Sequence, residues 1–208
     1  MKVEILAFTP NPELLIEDAA RICYDSFEKK APGSHVRIID HLIRSGHESV
    51  LEHSSVTYRV SGVSRALTHQ LVRHRLASYS QRSQRYVKES EPNYVTPPSI
   101  KDNKTNIGIS SQFRMAQAVF NDSMKHAWDT YNELLKMGIK GEDARFVLPN
   151  ACCSEIIITM NFRELRHFFK LRTSKHAQWE IRDMAKEMWN QVMRIGAANV
   201  FADIKFEE

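Results

Sequence analysis

From His53 to Lys88 the chain contains no aspartate or glutamate, yet it carries seven cations: Arg59, Arg65, Arg73, Arg75, Arg82, Arg85 and Lys88. The whole chain is only +4, so everything outside this span is net −3. Guanidinium groups without partners repel one another and cannot be buried. Any fold of this chain must therefore present the span where an anion can meet it. Its densest part, Arg73 to Tyr86, interleaves arginine with serine and glutamine, whose hydroxyls and amides suit phosphate oxygens.

The rest of the composition is that of an ordinary globular chain, and 208 residues fit one domain. We expect a single domain over 1–208. The three cysteines, Cys23, Cys152 and Cys153, form no Cys-x-x-Cys pair, which speaks against a zinc ribbon or a disulfide framework. A zinc-protease helix is excluded as well, because Leu51 stands where His-Glu-x-x-His would need its second histidine. No metal site is expected. Met1 to Glu4 lacks the apolar region of a secretory signal, and no run approaches 18 apolar residues, so the expectation is a cytoplasmic protein without a membrane span.

Periodicity predicts a strand at Val3–Phe8 and a helix capped by Asn11 with Pro12 at its first position and Leu15, Ala19 and Ile22 buried. A second helix is capped by Ser34, has Ile38, Ile39 and Leu42 on its stripe, and ends at Gly46. His47 to His53 reads as a loop. Val56, Tyr58 and Val60 alternate in a strand closed by Gly62. Val63 to Arg75 reads as a helix with His74 on its apolar face, more often the setting of a core histidine than of a ligand. Leu76 to Tyr86 has no period and reads as an irregular loop. A long helix is predicted from Ile109 to Met137, with Phe113, Ala116, Phe120, Met124, Ala127, Tyr131 and Leu135 as its stripe. A short helix carrying Arg145, a buried strand from Cys153 to Met160, and a helix opened by the capping box Asn161-x-x-Glu164 follow. The last helix is predicted from Ala177 to Asn199.

Three segments carry a resemblance. Arg73-His74-Arg75, then seven residues, then Ser83 and Arg85-Tyr86, is similar to the motif of the flavin-dependent thymidylate synthases. Gly46 to His53 resembles that family's upstream His-Glu block, and Leu171-Arg172 with Ser174 and His176 to Glu180 resembles its downstream block. The resemblance implies methylation of dUMP to dTMP, with 5,10-methylenetetrahydrofolate as carbon donor, FAD as hydride carrier and NADPH as reductant. It implies an α+β fold with a mixed sheet, packed helices and a long-helix extension. It also implies a homotetramer with sites at subunit interfaces.

Carried over residue by residue, the dUMP positions are Gln70, Arg73, Gln81, Arg82, Ser83, Gln84, Arg85, Arg145 and Arg172. The FAD positions are His47, Ser49, Arg73, His74, Arg75, Gln81, Asn161, Arg163 and His167. Arg172 corresponds to the arginine that polarises the uracil, a task suited to a side chain that never titrates. Many members have glutamate where Gln81 stands, and asparagine where His167 stands.

Two features of the residues themselves agree. No two glycines are separated by a single residue, so a flavin site here is not a Rossmann turn. The cysteines lie outside the basic stretch among apolar neighbours, where thiols ionise poorly, consistent with a route that needs no cysteine nucleophile. The competing reading is a nucleic-acid-binding protein in which the 53–88 span tracks a phosphate backbone and Tyr79 and Tyr86 stack on bases.

Overall fold

The computed structural model describes residues 1–89, 91–101 and 110–206, with the side chains of 110–115 left out. Its elements in order are β1 (Lys2–Phe8), α1 (Pro12–Ile22), α2 (Ser34–Arg44), β2 (Ser55–Ser64), α3 (Arg65–Leu71), β3 (Ala77–Gln81), α4 (Pro98–Lys101), α5 (Ser110–Lys136), α6 (Gly141–Ala144), β4 (Cys153–Asn161), α7 (Phe162–Arg172), α8 (Trp179–Val192) and α9 (Ala198–Phe201). The α+β class is borne out. The strands form one sheet in the order β1-β2-β4-β3, with β1 antiparallel to β2.

The chain divides into two compact units, one of residues 1–61, 69–80 and 156–208, the other of 62–68 and 81–155. In the first unit the alternation of β2 buries Val56, Tyr58 and Val60, and that of β4 buries Ile156, Ile158 and Met160. The buried Tyr58 hydroxyl donates to the Met188 carbonyl of α8 at 3.0 Å, so its polar tip is satisfied. Phe162, Phe201, Phe169 and Phe168 follow one another edge-on or tilted at centroid spacings of 5.2, 5.6 and 5.7 Å, and the line ends on the His74 ring, 5.0 Å from Phe168. In the second unit Met124 and Trp128 of α5 pack with Cys152, Tyr94 and Phe120.

Several expectations need correction. Leu15 and Ile22 of α1 are 38% and 70% exposed. The buried face of α1 is instead Pro12, Glu13, Ile16, Glu17, Ala20 and Arg21. Its charges are tolerated because they are paired: Arg21 Nη2 lies 2.7 Å from Glu17, and the Glu13 carboxylate accepts from the backbone and side chain of Asn199. Asn11 does precede α1, but in a left-handed conformation with no side-chain cap bond. Gly33, not Ser34, is the residue before α2, because the Ser34 hydroxyl is committed to Glu17 and to the Ala31 carbonyl.

Gly62 does not close β2; at φ 67 it sits inside the strand, where a residue without Cβ re-aims the chain instead of stopping it. The helix expected over 63–75 is only α3, so Val63 belongs to β2 and Arg73 to Arg75 follow the helix. His47 to His53 contains a 3-10 turn over Glu48–His53. Residues 77–81, read as loop, are the edge strand β3; its exposed and half-buried residues alternate without an apolar partner set. In α5, Met124 and Tyr131 are buried as expected and so is Trp128, whereas Ala116 is exposed. The side chain of Phe113 lies outside the described residues. The last predicted helix is two, α8 and α9, because Gly196 at φ 76 breaks it.

Candidate functional site

His74 is 4% exposed and both of its ring nitrogens are occupied within the first unit. Arg172 Nε donates to Nε2 at 3.1 Å, and Nδ1 lies 3.2 Å from Glu164 Oε1. Arg172 stands at the C-terminal end of α7 and Glu164 in its first turn, two helical turns apart along one face. The capping box holds: Asn161 Oδ1 accepts from the Glu164 backbone at 2.9 Å. From β3, the Tyr79 hydroxyl reaches the backbone carbonyls of Leu71 and His74 at 2.9 and 2.8 Å. Burial, then the charges of Arg172 and His167, push the His74 pKa down to about 4. Burial pushes the Glu164 carboxyl up. His167 is exposed, with its ring centroid 5.9 Å from that of His74.

Arg73 and Arg75 flank this buried histidine and are themselves exposed. Neither has a carboxylate partner among the described residues. Gln70 is half-buried on α3, and its carbonyl accepts from the Arg73 backbone at 3.3 Å. Also in the first unit, His47, Ser49 and Arg163 line a cavity of about 380 Å³ together with Tyr24 and Glu48. Arg163 additionally pairs with Glu52 at 2.6 Å.

The remaining expected residues are in the second unit. Gln81 Nε2 donates to Thr68 Oγ1 at 3.0 Å and to Ser154 Oγ at 2.9 Å, which leaves Oε1 as an acceptor. Gln84 is buried and donates to Cys152 Sγ at 3.3 Å. Ser83 Oγ accepts from the Arg85 backbone at 3.2 Å. Arg85 pairs with Glu142 at 3.0 Å, and Arg145 Nε donates to the Glu142 carbonyl at 3.0 Å. Arg82 lies 3.7 Å from Glu89. The acid-free span is thus partly compensated by Glu89 and Glu142, from outside it.

Sequence reasoning missed the functional setting of Glu164, Tyr79 and Glu142. Glu164 was visible only as the third position of a capping box, a pattern that says nothing of residue 74.

A family model described as thymidylate synthase complementing protein matches residues 4–196. The chain belongs to this family. Among its curated relatives are the flavin-dependent thymidylate synthases of Geobacter sulfurreducens, 44% identical over 98% of this chain and 86% of the relative, and of Clostridium tetani, 41% identical over 97% and 85%. Two solved structures of similar fold are the UMP/dUMP methylase PolB of Streptomyces cacaoi bound to 5-Br dUMP and the thymidylate synthase ThyX of Helicobacter pylori with FAD and dUMP. The first has a TM-score of 0.82 and 27% identity, covering 97% of this chain and 94% of the other. The second has a TM-score of 0.74 and 26% identity, covering 98% and 99%. Among the described residues no helix is long and apolar enough to cross a membrane.

Proposed function

We propose that this chain methylates C5 of dUMP, taking the carbon from 5,10-methylenetetrahydrofolate and a hydride from NADPH by way of FAD, and releasing dTMP, tetrahydrofolate and NADP⁺. The observation that carries the reading is its identity to flavin-dependent thymidylate synthases over 97–98% of its length, a span that contains every residue assigned below.

The residues fit a flavin dinucleotide. Arg73 and Arg75 are exposed cations without a carboxylate partner among the described residues, the setting a pyrophosphate needs. The 380 Å³ cavity supplies His47, Ser49 and Arg163, and Asn161 keeps its amide donor because the cap uses only Oδ1. We assign these six residues, with Gln81 and His167, to FAD; His74, also expected there, has both ring nitrogens engaged by Arg172 and Glu164 and is left out of this set. When bound, FAD would carry the hydride from NADPH to the transferred carbon.

The chain's own residues would bind and polarise. Ser83, Arg85 and Arg145, with Gln81, Arg82 and Gln84 in the same loop, are assigned to dUMP. So are Gln70, Arg73 and Arg172. In a homotetramer with shared sites, the residues of one chain need not all serve one ligand. Arg172 donates to the uracil and stabilises negative charge as N3 loses its proton, a task that suits a guanidinium because it cannot itself titrate.

The test is Arg172→Ala, loaded with FAD and reduced by NADPH. Single-turnover dTMP formation should fall about a hundred- to a thousandfold, the cost of losing a donor to developing charge, while bound flavin after gel filtration stays at the wild-type ratio. A near wild-type rate would leave Arg172 as a helix-terminal cation, worth about 0.3–1 kcal/mol of stability. No bound flavin in the wild-type protein would overturn the reading as a whole.

A further inference from the structure

Arg172, His74 and Glu164 lie in one hydrogen-bonded line, and the line admits a single protonation state of the ring. Arginine can only donate, so the 3.1 Å contact from Arg172 Nε requires a lone pair on His74 Nε2. The proton of a neutral ring then sits on Nδ1, the nitrogen 3.2 Å from Glu164 Oε1. An imidazolium would set a proton against the Arg172 N–H, and the Nε2-protonated tautomer would fail at both ends. Several groups face the ring; burial and the charges of Arg172 and His167 favour its neutral form, against the pull of the Glu164 carboxylate. From α7 the facing groups are Glu164, His167, Arg172 and the edge of Phe168; from β3, Tyr79 holds the His74 carbonyl. The Glu164 backbone is held by the Asn161 cap.

We propose that Glu164 and His74 are positioning residues that aim the Arg172 guanidinium; this rests on the reading that Arg172 acts on the uracil. The interposed histidine has a chemical reason. A carboxylate placed directly on Arg172 would take two donors of its fork and cancel its charge. A neutral imidazole takes Nε alone. Nη1 and Nη2 keep the planar edge and the full charge for a ligand, and they have no other partner among the described residues. Glu164 holds the imidazole in the one tautomer that can accept. The acid that orients the arginine is thereby kept one ring away from it.

The experiment uses FAD-loaded protein labelled with ¹⁵N in the histidine rings, with the His74 signals identified by their loss in His74→Gln. At pH 7 the expected spectrum shows Nδ1 protonated and Nε2 bare, unchanged to pH 5.5. In Glu164→Ala the tautomer should become mixed, and single-turnover dTMP formation should fall about tenfold, the lower range for one charge-assisted hydrogen bond, at unchanged flavin content. Glu164→Gln, which keeps an acceptor oxygen, should recover most of that loss. A wild-type His74 protonated on Nε2 or charged at pH 6 overturns the proposal whatever the rates of the Glu164 variants. A slow Arg172→Ala with a wild-type rate in Glu164→Ala overturns the positioning alone. A fast Arg172→Ala overturns the reading of Arg172 and the positioning with it.

Discussion

Glu142 should act as a built-in competitor of the dUMP phosphate. Its carboxylate lies 3.0 Å from Arg85 Nη2, and its Oε2 also accepts from Arg85 Nε at 3.2 Å. Both side chains are about half-exposed or somewhat less, at 52% and 37%, so the pair is worth roughly 0.2–1 kcal/mol. A phosphate binding to Arg85 must displace it. Glu142→Gln removes the charge and should tighten dUMP by up to about fivefold. It leaves the backbone carbonyl that Arg145 uses. Arg85→Ala removes a charge-assisted contact worth about 1.5–3 kcal/mol and should weaken dUMP by about ten- to a hundredfold. Deoxyuridine has no phosphate and should respond to neither change by more than about twofold. Calorimetric titration of both ligands, at low and moderate salt, separates these outcomes. Weaker dUMP binding in Glu142→Gln, or equal changes for dUMP and deoxyuridine, would refute the phosphate role of Arg85.

Two further outcomes are expected. Burial, with Glu89 nearby, pushes the Cys152 thiol up to about 11, so a triple variant with serine at Cys23, Cys152 and Cys153 that folds and binds FAD should keep most of its dTMP formation; its loss would point to a cysteine nucleophile. His74 has a folded pKa of about 4 against 6.5 for the free ring, so its neutral-state stability is complete above pH 6.5 and is lost as pH falls towards 4, by about 3 kcal/mol in all. The raised Glu164 carboxyl takes up a proton more readily when folded and works the other way over the same range. Urea midpoints between pH 7 and 4.5 should therefore drop more steeply in the wild type than in His74→Gln, and parallel slopes would contradict the neutral ring.

What was legible in the sequence was whatever depends on local period. Val56, Tyr58 and Val60 alternate and all three are buried; Asn161 and Glu164 stand three apart and the cap forms. What was not legible depends on partners far along the chain. The buried face of α1 includes Glu13, Glu17 and Arg21 beside Ile16 and Ala20 because Glu13 meets Asn199 and Glu17 meets Arg21 and Ser34, pairings that no hydrophobic count reveals. β3 escapes detection because an edge strand without an apolar face has the composition of a loop. The motif residues were found by resemblance, but their geometry was not. Gln84 is buried against a thiol, and His74 is joined to Arg172 by a bond that spans 98 positions.

That same dependence on distance decides between the two readings of the acid-free span. A surface that tracks a nucleic-acid backbone needs successive cations free to replace counterions along its length. Here the cations differ from one another. Arg82 and Arg85 are met by Glu89 and Glu142, so part of the charge of the second unit's loop is answered by acids of the same unit. Arg73 and Arg75, on either side of a neutral and buried histidine, are not answered among the described residues. Tyr79, offered as a stacking platform, spends its hydroxyl on two backbone carbonyls and is half-buried. A few unmatched guanidiniums at fixed positions suit discrete phosphates on small ligands.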